Sequence, residues 1–257
     1  DLWHGHYYVK EDQHLPGYLP NDEIWEIDAT YEDQNLPAIL LEKEVENQPT
    51  ESYFTKTDIV TGEPVEGAKL QILDEEGTVV REWITTKEEH LEYALPAGNY
   101  FLHEELPPLE DGYVSAEDVS FEVKEDGTIT KVEMKDDVTK VQISKTDISG
   151  KELPGAKLTI LDKDGKTVES WTSEEKPHYI EMLPIGEYTL REETAPDGYL
   201  VAEDVKFTVK DTGEIQKVVM KDEVKPEETP IETPTETPET TPTPETKTTE
   251  ETKKSTS

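Results

Sequence analysis

Hydrophobic and polar side chains alternate along much of the chain up to residue 224, which is the period of a half-buried β-strand. Near the end of this stretch the alternating pairs are Val141 and Ile143, Leu158 and Ile160, Tyr188 and Leu190, Phe207 and Val209, and Val218 and Met220. Turn sequences at residues 74–77 and 162–165 interrupt such runs and predict hairpins. About seven short strands per copy of the pattern, with turn signals about every 8 to 12 residues, predict a β-sandwich.

The chain contains two full copies of this pattern, offset by 88 residues. Corresponding positions include Gly67 and Gly155, Trp83 and Trp171, and His90 and His178. Repetition at a fixed offset indicates a tandem array of similar structural units. We therefore predict one β-sandwich at residues 49–137, called the first complete module, and another at residues 138–224, called the second complete module.

A partial third copy lies at the N-terminus. Residues 2–11 resemble residues 183–192 of the second complete module, and residues 41–47 resemble its final strand. Residues 1–48 are therefore predicted to be the C-terminal half of a truncated domain, called here the half-module. Half a sandwich cannot close its own core, so we expect the half-module to be poorly stable alone.

Composition limits the partners and the chemistry. The chain has 25 Lys and Arg against 61 Asp and Glu, a net charge of −36, which argues against nucleic acid and anionic membranes as partners. No apolar run approaches the roughly 20 residues of a membrane span. The absence of cysteine excludes disulfides and thiolate chemistry. Residues 225–257 are rich in Thr, Pro and Glu, with Ile231 as their only large apolar side chain, and predict a disordered spacer.

Three ionisable residues of each complete module fall on the inward face of the predicted strands. Lys145, for example, follows Val141 and Ile143 at intervals of two residues. The full set is Lys56, Glu104 and Asp136 in the first complete module and Lys145, Glu192 and Asp222 in the second, with Glu11 and Asn47 as their equivalents in the half-module. An isolated buried charge costs many kcal/mol, so these groups must neutralise one another or react.

Two interpretations of this cluster are open. The first is a buried salt bridge. The second is chemical: burial lowers the pKa of an amine and raises that of a carboxyl, which places a neutral amine beside a protonated acid. The two can condense to an amide, and a glutamate bonded to both would move the proton as a general acid and base. An aspartate partner would release water, whereas Asn47 would release ammonia.

Three motifs around these positions resemble the CnaB or SpaA-type, prealbumin-like domains of Gram-positive cell-wall surface proteins and pilins. The motifs are ISKTD at residues 143–147, the E-box-like segment at residues 188–199, and the last strand at residues 218–222. The resemblance implies a prealbumin-like, inverse immunoglobulin-type β-sandwich with an isopeptide bond between its first and last strands. Carried over residue by residue, it implies a Lys56–Asp136 bond with Glu104 catalytic, and a Lys145–Asp222 bond with Glu192 catalytic.

The resemblance implies an extracellular structural protein and no turnover enzyme: stalk repeats of an adhesin-like protein anchored to a Gram-positive cell wall, each complete module stiffened by its own bond. The alternatives are a ligand-binding adhesin module and a minor or backbone pilin subunit. The implied partners are peptidoglycan, through a sortase signal outside residues 1–257, and a host matrix protein bound by upstream domains. Residues 225–257 would then be a wall-spanning spacer. No cofactor and no metal are expected, because His4, His6 and His14 do not complete a ligand set.

Overall fold

The computed structural model describes residues 2–30 and 42–226, and these residues form sixteen β-strands and one short 3-10 helix. The strands are β1 (Gly5–Lys10), β2 (Ile24–Ala29), β3 (Glu51–Asp58), β4 (Lys69–Leu73), β5 (Val79–Ile84), β6 (His90–Tyr93), β7 (Gly98–Leu106), β8 (Val119–Val123), β9 (Thr130–Asp136), β10 (Lys140–Asp147), β11 (Lys157–Leu161), β12 (Thr167–Thr172), β13 (His178–Glu181), β14 (Gly186–Thr194), β15 (Val205–Val209) and β16 (Ile215–Asp222), and the 3-10 helix is Leu109–Asp111. The prediction of an all-β fold is confirmed. Within this part of the chain no helix has the length and apolar character needed to cross a bilayer. The predicted spacer lies outside the described residues, apart from Lys225 and Pro226.

Each complete module is a sandwich of one three-stranded and one four-stranded sheet. The strand orders are β6-β3-β9 and β5-β4-β7-β8 in the first complete module, and β13-β10-β16 and β12-β11-β14-β15 in the second. The first strand of each module pairs in parallel with the last strand, whereas its other strand pairs are antiparallel. This parallel pair places the first and last strands of a module side by side, with the two chain ends of the module at opposite ends of the pair.

The predicted alternation places the core between the two sheets. On β3, every second residue from Ser52 to Asp58 is buried, and Phe54 packs edge-on against Phe121 with ring centroids 5.3 Å apart. The second complete module has a separate core cluster that includes Ile143, Leu158, Ile160, Leu190 and Met220. Each complete module therefore has a core of its own. Burial of one large apolar side chain in such a core contributes about 1.5–3 kcal/mol to stability. Lys56 shares the inward face of β3 with Phe54.

The half-module departs from the prediction in one respect. Strands β1 and β2 form an antiparallel pair equivalent to β7 and β8. The predicted final strand at residues 41–47 is wrong for its described part, because residues 42–48 form no strand, and residue 41 lies outside the described residues. In the complete modules the final strand is an edge strand that pairs only with the first strand. The described residues of the half-module contain no such first strand, so the final segment lacks the partner that would satisfy its backbone groups.

Successive modules are joined by a repeated set of contacts. At the second junction, the Thr139 N–H donates to the Gly112 carbonyl at 2.9 Å, and the Met182 N–H donates to the Thr139 carbonyl at 3.0 Å. A Cβ at Gly112 would lie 2.4 Å from the Met182 backbone, so only glycine fits there. Ser115 also donates its N–H and hydroxyl to Asp211 at 2.9 and 2.7 Å. At the first junction the corresponding residues are Thr50, Gly17 and Ala94.

Candidate functional site

Three strands assemble the site of the first complete module. Lys56 lies on β3, and Asp136 ends β9, the parallel neighbour of β3. Lys56 is opposite Met134 in the register, so Asp136 lies two residues further along on the same face. Glu104 projects from β7, which belongs to the facing sheet. The fold therefore brings residues from the start, the middle and the end of the module to one place in the core.

The three side chains contact one another out of reach of solvent. Lys56 Nζ lies 2.9 Å from Glu104 Oε1 and forms a second ion pair with Asp136 Oδ1. The lysine side chain is 1% exposed and both carboxyl side chains are 0% exposed. One amine between two carboxyls leaves an excess negative charge when all three groups are ionised. Because burial penalises that charge, protonation of one acid is favoured.

The second complete module repeats this arrangement. Lys145 Nζ lies 2.9 Å from Glu192 Oε1 and contacts Asp222 Oδ1 as both an ion pair and a hydrogen bond. Lys145 is opposite Met220 in the β10–β16 register, as Lys56 is opposite Met134. All three side chains are again at most 1% exposed. Two independent copies of the chain's repeat thus place the same three groups together.

The two candidate acids, Asp136 and Asp222, have perturbed pKa values. Burial raises the pKa of Asp136 to about 7, and Glu104 adds to the rise while Lys56 opposes it. Burial likewise raises the pKa of Asp222, against the effect of Lys145. An aspartate with a pKa near 7 carries a proton in about half of the molecules at neutral pH. A protonated carboxyl has a hydroxyl leaving group, which amide formation requires.

A backbone donor orients each glutamate. Glu104 Oε2 accepts the Ala116 N–H at 2.7 Å, which leaves Oε1 for the lysine amine. Glu192 Oε2 accepts the Ala202 N–H at 2.6 Å in the same way. Sequence reasoning missed these two alanines, because a backbone donor carries no side-chain signal. The only clue was the similar spacing between each glutamate and the Gly-Tyr pair that follows it.

The half-module retains part of this geometry. Glu11 Oε2 accepts the Asn21 N–H at 2.9 Å, as its equivalents accept alanine N–H groups. The Leu19 N–H donates to the Gln48 carbonyl at 2.8 Å, and this contact also occurs at the same register in both complete modules. Asn47 therefore occupies the chain position equivalent to Asp136, but it is exposed and outside any strand. The structure does not assemble a three-residue site from these residues.

A comparison with protein families identifies the two modules. The model of the SpaA family, described as a prealbumin-like fold domain, matches residues 51–138 and 139–224. The chain belongs to this family. The resemblance inferred from the sequence is thereby confirmed, as is the tandem prealbumin-like architecture of the two SpaA modules.

Solved structures similar to this chain come from several bacteria. The Bacillus anthracis TIE protein is 32% identical, with 85% of this chain and 42% of that chain covered, and the TM-score is 0.47. A streptococcal ancillary pilin is 20% identical over 86% of this chain and 76% of that chain, with a TM-score of 0.40. The shaft pilin SpaA from Lactobacillus rhamnosus GG is 16% identical over 68% of this chain and 98% of that chain, with a TM-score of 0.31. This chain spans less than half of the solved Bacillus anthracis chain. No curated protein matches it.

The histidines that the sequence offered as metal ligands lie in surface contacts or among the described residues without a ligand cluster. Across residues 2–30 and 42–226, no group of three or more His, Cys, Asp or Glu side chains is placed to hold a metal ion. His6 pairs with Asp28 at 3.6 Å and His14 with Glu125 at 3.3 Å, both as ordinary surface contacts. Each of the two buried sites contains one amine and two carboxyls.

Proposed function

We propose that the two SpaA modules are stalk repeats of a Gram-positive surface protein and that each is locked by an intramolecular Lys–Asp isopeptide bond. The observation that carries the proposal is the contact between a buried lysine amine and a buried aspartate carboxyl, which occurs in both modules. A buried ion pair is weak evidence for stability, because desolvation offsets most of the attraction. A covalent amide removes both charges and accounts for three ionisable groups in one core.

The proposed reaction needs only the side chains present. In the first complete module, Nζ of neutral Lys56 attacks Cγ of protonated Asp136. Glu104 Oε1, which is 2.9 Å from Nζ, accepts the amine proton as the C–N bond forms and passes it to the departing hydroxyl. The C–O bond breaks, and one water molecule leaves. Fixed contact between amine and acid supplies much of the rate, because it replaces a bimolecular encounter.

Glu192 has the same role toward Lys145 and Asp222, since its distance to the amine is also 2.9 Å. Each site consumes its own amine and carboxyl, so the reaction occurs once per module. The proposed reaction is thus a single self-crosslinking step without turnover, and its chemistry calls for no cofactor or metal.

The location of the bond suits a load-bearing role. Lys56 lies on the first strand and Asp136 ends the last strand of its module, so tension on the chain ends passes through the bond. The strands between these two residues are then shielded from the load. The chain has no cysteine, and an amide provides a crosslink that needs no oxidant and resists reduction.

The junctions support a stiff array. Ala94 and Met182 adopt left-handed backbone conformations, with φ of 54° and 60°, at equivalent positions of the two junctions. Such conformations cost a non-glycine residue about 1–3 kcal/mol and persist only where the surroundings impose them. Each of the two packs against the glycine of the preceding module, Gly17 or Gly112. This repeated contact favours a fixed arrangement of neighbouring modules.

The family supports a proposal for the cellular setting. We propose that the protein is extracellular and anchored to peptidoglycan through a sortase signal outside residues 1–257, and that upstream domains contact a host matrix protein. Residues 225–257 would then cross the cell wall as a spacer. Labelling of intact cells with an antibody against the two modules tests this location, and signal only after lysis would contradict it.

Single-molecule force spectroscopy tests the stalk function. An unlinked module of this size lengthens by roughly 30 nm when it unfolds, at about 3.3–3.6 Å per residue. We expect the wild-type chain to show no such step from either module. The Glu104→Gln and Glu192→Gln variants, which lack the proton acceptor, are each expected to gain one step. Full-length steps in the wild-type chain would contradict the proposal.

A further inference from the structure

Each reacting aspartate lies opposite a second aspartate on the neighbouring strand. Asp58 is directly opposite Asp136 in the β3–β9 register, and Asp147 is directly opposite Asp222 in the β10–β16 register. Adjacent strands are about 4.8 Å apart, and directly paired residues point to the same face. Each second aspartate follows the reacting lysine by two residues. The reaction described above assigns no role to either of them.

Both second aspartates are held as carboxylates by the turn that ends the first strand. Asp58 Oδ1 accepts the N–H groups of Val60 and Thr61, each at 2.8 Å. Burial alone would raise the pKa of Asp58, but these donors outweigh it and hold the pKa below its ordinary value. The Ser149 hydroxyl donates to Asp147 Oδ1 at 2.6 Å and, with turn N–H groups, lowers the pKa of Asp147. Both side chains are therefore ionised at neutral pH.

Few other titratable groups face the reacting acid. Around Asp136 they are Lys56 and Asp58 from β3, Glu104 from the facing sheet, and Tyr113 from the loop after β7, whose hydroxyl interacts with Asp58. The corresponding groups around Asp222 are Asp147, Lys145 and Glu192. An ionised Asp58 disfavours a second negative charge on Asp136. The lysine has the opposite effect, so the charge on Asp58 helps the acid to keep its proton.

We propose that Asp58 and Asp147 are positioning residues whose fixed negative charge keeps the opposite aspartate protonated and so ready for amide formation. This inference rests on the proposed isopeptide chemistry. Because the reacting acid must be neutral, the negative charge of the second aspartate extends the pH range of bond formation toward alkaline pH. Asp58 is 7% exposed, whereas Asp147 is only half-buried. Solvent screens the charge of Asp58 less, so the first complete module shows the larger effect.

The test is the Asp58→Asn variant of the full chain. The chain is isolated unreacted in denaturant and refolded by dilution between about pH 5 and pH 9, and mass spectrometry follows the loss of water in linked Lys56–Asp136 peptides. Asparagine keeps the oxygen that accepts the turn N–H groups but removes the charge. We expect an unchanged rate near pH 5 and a rate about three- to tenfold lower near pH 8, because the alkaline limb moves down by about half to one pH unit.

Asp74→Asn is the matched control. Asp74 Oδ1 accepts the Glu76 and Thr78 N–H groups at 3.1 and 2.7 Å in a hairpin turn, remote from the strand pair that reacts. Asp147→Asn applies the test to the second complete module, and the unaltered module of each variant is the internal reference. A pH profile unchanged by Asp58→Asn, or a rate lowered equally at every pH, would overturn the proposal. A wild-type chain that forms neither bond at any pH would instead overturn the proposed function.

Discussion

Replacement of Glu192 by glutamine is expected to leave the second complete module folded but unlinked. Glutamine has nearly the same shape, and its side-chain oxygen can accept the Ala202 N–H that now binds Glu192 Oε2 at 2.6 Å. It cannot take a proton from the Lys145 amine, so the bond to Asp222 does not form. Lys145 keeps Asp222 as an ion partner, and the variant is therefore not left with an unpaired buried charge.

The size of the effect follows from the loop that the bond closes. Lys145 and Asp222 are 77 residues apart in the chain. In the chain-entropy treatment used for disulfides, a crosslink across a loop of this length stabilises the fold by about 4.5 kcal/mol at 25 °C. In a domain of about 60–100 residues, each kcal/mol corresponds to about 4–8 °C in Tm. The Glu192→Gln module is therefore expected to unfold roughly 20 to 35 °C below the wild-type module.

Differential scanning calorimetry of the full chain provides the assay. The first complete module keeps its own site and serves as the internal control, and the reciprocal Glu104→Gln variant is expected to lower only the transition of that module. Mass spectrometry establishes whether each module is linked. A Glu192→Gln chain that still forms the Lys145–Asp222 crosslink would refute the role assigned to the glutamate. An unlinked chain with an unchanged Tm would refute the stabilising role of the bond.

Three other variants test other parts of the account. Lys56→Met removes the amine that opposes the rise in the pKa of Asp136. The Asp136 carboxyl then binds a proton more tightly in the folded state than in the unfolded state. The stability of that module is then expected to rise as the pH falls from about 8 to 5, by about 1.4 kcal/mol per unit of pKa shift. Urea unfolding measures this, and equal midpoints at the two pH values would contradict it. Gly112→Ala places a Cβ 2.4 Å from the Met182 backbone and is expected to speed proteolysis at the second junction. The control is Gly155→Ala, because Gly155 also has a positive φ, of 96°, but a Cβ there would have no atom within 4 Å. Equal cleavage of the two variants would contradict the junction contact. Ile160→Ala, at a position 0% exposed, is expected to lower the free energy of unfolding by about 2–5 kcal/mol, and a loss below about 1 kcal/mol would show that the core is misassigned.

The alternation of inward and outward side chains along a strand was sufficient to locate the buried groups from the sequence. An alternation of period two assigns every residue of a strand to one face, so Lys56 two residues after Phe54 had to point inward. The same rule placed Glu104 on the inward face with Tyr100 and Leu102. The internal repeat strengthened the argument, because a chance inward charge would not recur at matching positions of a second module.

Other features depend on contacts between backbone groups, which alternation does not encode. The final strand of the half-module was predicted from its side chains, but a strand forms only where a neighbouring strand satisfies its N–H and C=O groups. The donors that orient Glu104 and Glu192 are the N–H groups of Ala116 and Ala202, and any non-proline residue could supply them. The fit of Gly112 against Met182 likewise depends on how two modules meet.

The direct test of the central claim is the intact mass of the purified chain, followed by peptide mapping. The account predicts a mass lower than the sequence mass by two water molecules, together with branched peptides that join Lys56 to Asp136 and Lys145 to Asp222. A mass equal to that of the unmodified sequence would contradict it, and the two sites would then be buried ion pairs.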